Sequence, residues 1–179
     1  MASILVPMAT TIKRVDPAEN EFLSSLESKA KQPNPFFRAM ANRPEALKNF
    51  VPFYGSLMGP GSVDRRTKVL VYLVTSYTNQ CAFCIAANLP GGRKSGLTEE
   101  QLAAIELGTA GEGGEHGFSA AEVAAIRYAR ELTKTARAIE AREEMFAHFT
   151  HEQMVEITMT IAMANFTNRF NNGLEIFPE

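Results

Sequence analysis

The sequence predicts an all-α protein, and three observations carry that expectation. No segment alternates apolar and polar residues with a period of two over the length of a strand. Thr98 with Gln101 and Ser119 with Glu122 have the spacing of capping boxes, which mark helix starts. The last long segment carries Met154, Val155, Ile157, Met159, Ile161, Met163 and Phe166, apolar almost all round. Such a helix is buried in a core or against a partner subunit.

Taken in order, residues 1–16 read as an extended arm, because Pro7 and the β-branched Thr10, Thr11 and Ile12 disfavour a helix. Residues 17–179 then form one domain. A helix is expected over 17–31, with Asp16 as cap, Pro17 in its first turn and Phe22, Leu23 and Leu26 on one face. Pro33 and Pro35 break it. Two helices over 36–42 and 44–57 follow, separated at Arg43-Pro44, with Glu45 in the first turn of the second. Residues 55–61 read as a turn, after which Ser62 or Asp64 caps a helix to about Ser76. Beyond the cysteines, 89–96 reads as a loop. The two capping boxes open helices from Thr98 to about Leu107 and over 120–135, on either side of a glycine-rich surface loop at 108–117. A short helix over 141–149 and the last helix, capped by Thr150, complete the chain.

The chemistry is expected at Cys81 and Cys84, the only two cysteines in the chain. If Asn79 caps the helix that carries them, Cys81 lies in its first turn and Cys84 one turn later. The positive end of the helix dipole then favours thiolate over thiol. One sulfur can attack and the other can close a disulfide. Two other readings stand beside this one. Zinc wants four ligands, and His116, His148 and His151 are distant in sequence. Two cysteines can also pack as small hydrophobes.

The chain has 179 residues, enough for a sizeable core, with 45% apolar and 21% charged residues. A net charge of -2 disfavours nucleic acid and anionic membrane as partners. No stretch approaches a membrane span or a signal sequence, so a cytoplasmic location is expected. In that setting a cysteine pair reads as redox-active rather than as a staple.

The run Asp64-Arg-Arg-Thr-Lys-Val-Leu-Val-Tyr-Leu-Val-Thr-Ser76, followed by Asn79-Gln-Cys-Ala-Phe-Cys84, resembles the AhpD-like, carboxymuconolactone decarboxylase superfamily. Asn34-Pro-Phe-Phe-Arg-Ala-Met and Asn165-Phe-Thr-Asn-Arg169 are similar in flavour, and the resemblance covers roughly residues 33–176. It implies an all-helical fold assembling as a homotrimer or homohexamer, with thiol peroxidase or disulfide reductase chemistry and no bound cofactor. In that scheme Cys84 attacks a peroxide or disulfide, and Cys81 resolves it as the redox-active disulfide. A lipoyl-type or other external dithiol then reduces the pair.

Three positions depart from the pattern. The glutamate expected twelve residues before the first cysteine is Val69, the histidine expected four after the second is Asn88, and the tyrosine between them is Phe83. Losing a positioned acid–base group typically costs ~10²–10⁴-fold in rate. Dithiol–disulfide exchange, which leans on thiolate character, suffers less. By helical spacing Asn88 shares the face of both cysteines and could hold a water or donate to a thiolate. Tyr77, four residues before Cys81, is a candidate for substrate contact, with a core or boundary position as its alternative. Arg169 could bind a substrate carboxylate through its planar fork, or belong to a structural polar strip with Asn165, Asn168 and Asn172. Two further functions stay open: a decarboxylase-like enzyme with Asn88 or Arg169 holding a carboxylate, and a non-catalytic oligomer whose cysteines sense oxidants.

Overall fold

In the computed structural model, residues 12–30, 32–112 and 116–178 are described. Among them there is no strand. A 3-10 helix (Pro17–Glu19) precedes nine α-helices: α1 (Glu21–Glu27), α2 (Pro35–Met40), α3 (Pro44–Met58), α4 (Arg65–Thr78), α5 (Ala82–Lys94), α6 (Glu99–Leu107), α7 (Ala120–Thr135), α8 (Ile139–Met145) and α9 (His151–Gly173). Among the described residues no helix is long and apolar enough to cross a membrane.

The molecule is built around α4. Its apolar run Val69 to Val74 is buried on every side, because α5, α7 and α9 all pack against it. A helix apolar all round can satisfy its surface only in this way. One core cluster joins α4 to α6, α7, α8 and one face of α9, through Leu70, Leu73, Ile126, Met145 and Ile157. A second lies under α1–α3, where Leu23, Phe36, Leu47 and Phe50 pack on Tyr72 of α4 and Met163 of α9. The cysteine helix and the far end of α9 meet beside this second cluster.

Several boundaries differ from expectation. The helix expected over 17–31 is split, because Asn20 is extended and its side chain accepts from Leu23 N–H at 2.9 Å, starting α1 afresh. Lys31 lies outside the described residues, as do residues 1–11 of the expected arm and 113–115 of the glycine-rich loop. Val15, at the arm's end, is buried and donates to the Arg38 carbonyl. The turn expected from Gly55 begins only after Met58, and Asp64 is the cap of α4. The loop expected over 89–96 is helical to Lys94, through Pro90 and two glycines. Proline removes one helix bond there, and packing compensates. Gly92 is buried so tightly against α4 that a Cβ would stand 3.0 Å from the Leu73 side chain. The helix expected over 141–149 is α8, starting two residues earlier and ending at Met145. All three capping boxes close, the third being Thr150 with Gln153.

The start of α9 is tied to the α3–α4 turn by a buried ion pair. Lys68, fully buried on α4, donates to the carbonyls of Leu57 at 2.9 Å and Gly59 at 2.7 Å and pairs with Glu156 of α9. Glu156 also accepts from Ser62 N–H, Ser62 Oγ and Val63 N–H. Burial raises its carboxyl pKa, but the bonds from Lys68, Ser62 and Val63 outweigh that and hold it below the ordinary range.

Candidate functional site

Cys81, rather than Asn79, caps the cysteine helix. Ser76 Oγ and Thr78 Oγ1 bond back to the carbonyls of Tyr72 and Val74, so these residues prolong α4 instead of capping α5. Asn79 closes α4 in right-handed conformation, and Gln80 turns the chain at φ 53°. That left-handed angle costs a non-glycine residue about 1–2 kcal/mol, so the turn needs support from outside itself.

The polar strip on α9 supplies it. Asn79 Nδ2 donates to Asn165 Oδ1 at 2.9 Å and to Asn168 Oδ1 at 3.0 Å, and Asn172 Nδ2 donates to the Asn79 carbonyl at 2.9 Å. Asn168 Nδ2 also reaches Ser76 Oγ. Arg169 is exposed and held by its own helix, donating to Asn165 O and Oδ1. The strip therefore anchors the turn that aims the cysteines.

Cys81 and Cys84 are joined by a disulfide, with Cα atoms 5.3 Å apart. The two sulfurs differ in surroundings. Cys81 is fully buried, and its sulfur accepts from Cys84 N–H at 3.3 Å. Cys84 lines a cavity of about 110 Å³ between α2, α3, α4, α5 and α9. Its sulfur accepts from Asn171 Nδ2 of α9 at 3.3 Å. Asn88 lines the same cavity, with its Nδ2 donating to the Cys84 carbonyl at 2.8 Å.

Aromatic side chains make most of the rest of the wall: Phe36 and Phe37 of α2, Phe50 and Tyr54 of α3, Tyr72 of α4 and Phe83 of α5, with Asn34, Ala87 and Thr167 between them. Phe36 meets Phe50 edge to face at 5.3 Å, and Phe50 stacks on Tyr54 at 5.5 Å. Tyr72 and Thr167 share a hydroxyl hydrogen bond of 2.5 Å. Burial raises the phenol pKa of both Tyr54 and Tyr72, so both stay protonated at neutral pH. Every lining side chain is neutral.

Of the five expected site residues, the structure gathers Cys81, Cys84 and Asn88. Tyr77 and Arg169 do not line the cavity. Tyr77 is half-buried against the main core, and its phenol pKa is raised by burial and then by Glu106. Val69 is packed into that same core. His116 lies beside Glu100 and Thr109, while His148 and His151 are exposed. Among the described residues no three His, Cys, Asp or Glu side chains are grouped to hold a metal ion. Asn171 and the aromatic wall went unread in the sequence. Asn171 lies three residues after Asn168 on a helix whose asparagines were already notable, and that spacing was the available signal.

The sequence profile of the Carboxymuconolactone decarboxylase family matches residues 44–131, which contain the cysteine helix. "Uncharacterized protein 4 in cox locus" of Paracoccus denitrificans is 38% identical over 42 residues, 24% of this chain. The match spans 38% of that relative's length. A protein of unknown function from Agrobacterium tumefaciens, put forward as an AhpD antioxidant defence protein, superposes with a TM-score of 0.69. Its identity is 26% over 78% of this chain and 95% of its own. The debrominase Bmp8, in complex with 2,3,4-tribromopyrrole, superposes with a TM-score of 0.77 at 15% identity, over 94% of this chain and 91% of its own. That last likeness is one of fold.

Proposed function

We propose that this chain is a thiol-dependent antioxidant enzyme of the AhpD-like, carboxymuconolactone decarboxylase superfamily, in which Cys84 meets the substrate and Cys81 closes the disulfide. The observation that carries this reading is the asymmetry of the pair. Cys84 faces a cavity and has a side-chain donor at its sulfur, while Cys81 is enclosed behind it.

In the reduced enzyme the first turn of α5 and the Asn171 amide both favour the Cys84 thiolate. With a hydroperoxide, the thiolate attacks the terminal oxygen. A sulfur–oxygen bond forms, the oxygen–oxygen bond breaks, and its electron pair leaves with the alkoxide. The Cys81 thiol then displaces water from the Cys84 sulfenic acid and forms the disulfide. An external dithiol, of the lipoyl type or another, returns both cysteines to thiols and is itself oxidised. With a disulfide substrate the same pair acts by exchange, a route that needs no acid at position 69 or 88. The exposed Val155, Met159 and Phe166 of α9, with Phe53 of α3, support a homotrimer or homohexamer.

A carboxylate substrate fits less well, because Arg169 is turned away and no cation lines the cavity. The neutral aromatic wall instead favours a second reading, reduction of a carbon–halogen bond, as the debrominase likeness suggests. There the dithiol becomes a disulfide as an aryl halide becomes arene and hydrogen halide. The test for both is turnover with excess dihydrolipoamide, using cumene hydroperoxide, a disulfide or a bromopyrrole as acceptor. Cys84→Ser should abolish turnover, and Cys81→Ser should leave a single oxidation of Cys84. Undiminished turnover in Cys84→Ser would overturn the assignment.

A further inference from the structure

The cavity beside Cys84 contains a polar atom that the protein leaves unmet. Asn171 is 1% exposed and lines the cavity, and its Oδ1 has no hydrogen-bond partner. The orientation of the amide follows from chemistry. A disulfide sulfur or a thiolate carries no proton and can only accept, so the Nδ2 end belongs against Cys84. The Oδ1 end is then a buried acceptor beside the reactive sulfur. Buried acceptors are almost always satisfied, and the exceptions call for a reason.

The walls limit what can meet it. They are mostly aromatic, from Phe36, Phe50, Tyr54 and Phe83, with Asn34, Asn88 and Thr167 as further neutral polar side chains, and no charged side chain reaches them. An ion would lose its hydration there without a partner. The volume, about 110 Å³, is of the order of the ~150 Å³ apolar cavity that holds a benzene ring. A ring can lie against the aromatic faces and edges.

We infer that Asn171 is the residue that orients substrate at Cys84, and that the cavity takes a neutral single-ring molecule carrying one N–H or O–H donor, which Asn171 Oδ1 accepts. The inference rests on the reading that substrate meets Cys84 in this cavity, but binding is measured without turnover. Selectivity comes from the acceptor. A ring of equal size without a donor strands Oδ1 in an apolar site, whereas a ring with one satisfies it. Tyr54 also lines the cavity, its ring edge to face with Tyr72 at 6.4 Å, and is the other side chain the experiment tests.

The experiment compares 4-fluorophenol with 4-fluorotoluene, matched in size and differing in the O–H, by fluorine NMR titration of the oxidised protein. Wild type is expected to bind the phenol roughly tenfold more tightly, the usual scale for leaving one buried group unpaired. Asn171→Leu is expected to bind both alike, with circular dichroism confirming its helices. Equal affinities in wild type, or no binding of either, would overturn the inference whether or not the variant folds. A preference that persists in folded Asn171→Leu would overturn it too, and would move the discrimination to Tyr54. Ring binding by an enzyme that shows no dithiol turnover would leave this inference standing and remove the catalytic reading instead.

Discussion

Asn171 of α9 and Cys84 of α5 are joined by an N–H to sulfur hydrogen bond of 3.3 Å across 87 residues of sequence. The amide is buried, so its donation acts in a medium of low polarity, where a bond to a charged group is worth about 1.5–3 kcal/mol. It stabilises the thiolate and does little for the thiol. In Cys81→Ser protein, Asn171→Leu should therefore raise the Cys84 thiol pKa by about one to two units, one unit being about 1.4 kcal/mol. Absorbance of the thiolate at 240 nm against pH measures it directly. An unchanged titration would mean that α5 alone sets the thiolate.

Asn79 makes a second prediction because it converts a polar strip into a scaffold. Its side chain donates to both Asn165 and Asn168, beside the left-handed Gln80. Asn79→Ala leaves two acceptors in a partly buried place without that donor, a loss of about 1–3 kcal/mol. Urea unfolding should show a lower midpoint at unchanged slope. Arg169→Ala, on the exposed edge of the same strip, should stay within about 0.5 kcal/mol of wild type. If the two variants were alike, the strip would not be what holds the turn.

The Lys68–Glu156 pair gives the stability a definite acid limb. The folded carboxyl of Glu156 is held below its ordinary value of 4.5. It therefore contributes stability that is present above that value and is lost as pH falls through the lower folded one. Glu27, whose carboxyl pKa is lowered chiefly by its bond from Arg38, adds a term of the same sign. Unfolding midpoints should fall as the pH drops below about 4.5, and Glu156→Gln should flatten part of that fall. Lys68→Met leaves Glu156 without its cation and should cost about 3–5 kcal/mol at neutral pH. Flat stability from pH 6 to pH 3 would rule out the pair as the source.

How much of this was legible beforehand follows from what kind of force places each residue. The helices whose starts are written locally, at Thr98, Ser119 and Thr150, read correctly because a cap is chosen by residues three apart, while of the two caps open for α4, Ser62 and Asp64, the structure takes Asp64. The helical stretch through Pro90 and Gly92 did not read correctly, since its support is the contact of Gly92 with Leu73 on another helix. Asn79 looked like a cap and is a bridge, because its partners are 86 and 89 residues away. The cysteines announced themselves by spacing. Asn171 was signalled only by its spacing from Asn168, and Lys68 and the aromatic wall gave no local sign, because a buried lysine or a cavity exists only once distant segments meet.

The last prediction concerns Val69 and Asn88, two of the three positions that depart from the family pattern, which the structure separates. Asn88 lines the cavity with Cys84, and its side chain donates to the Cys84 carbonyl of its own helix. A histidine there keeps the face and replaces a group that cannot move a proton with one that titrates near 6.5. Val69 is 2% exposed and enclosed by the apolar core around α4. Val69→Glu would bury a carboxylate among hydrophobic side chains, which neutralises or destabilises it. Asn88→His alone is therefore expected to raise hydroperoxide kcat/KM, by up to the ~10²–10⁴-fold typical of general acid–base catalysis. The gain should carry a new pH limb near the histidine value. Val69→Glu should lower the urea midpoint and add nothing to the rate. Rates measured for the two single variants across pH 5–8 decide it. An Asn88→His enzyme no faster than wild type would mean that position 88 is not where proton transfer was lost, and that exchange chemistry rather than peroxide reduction is what this cavity serves.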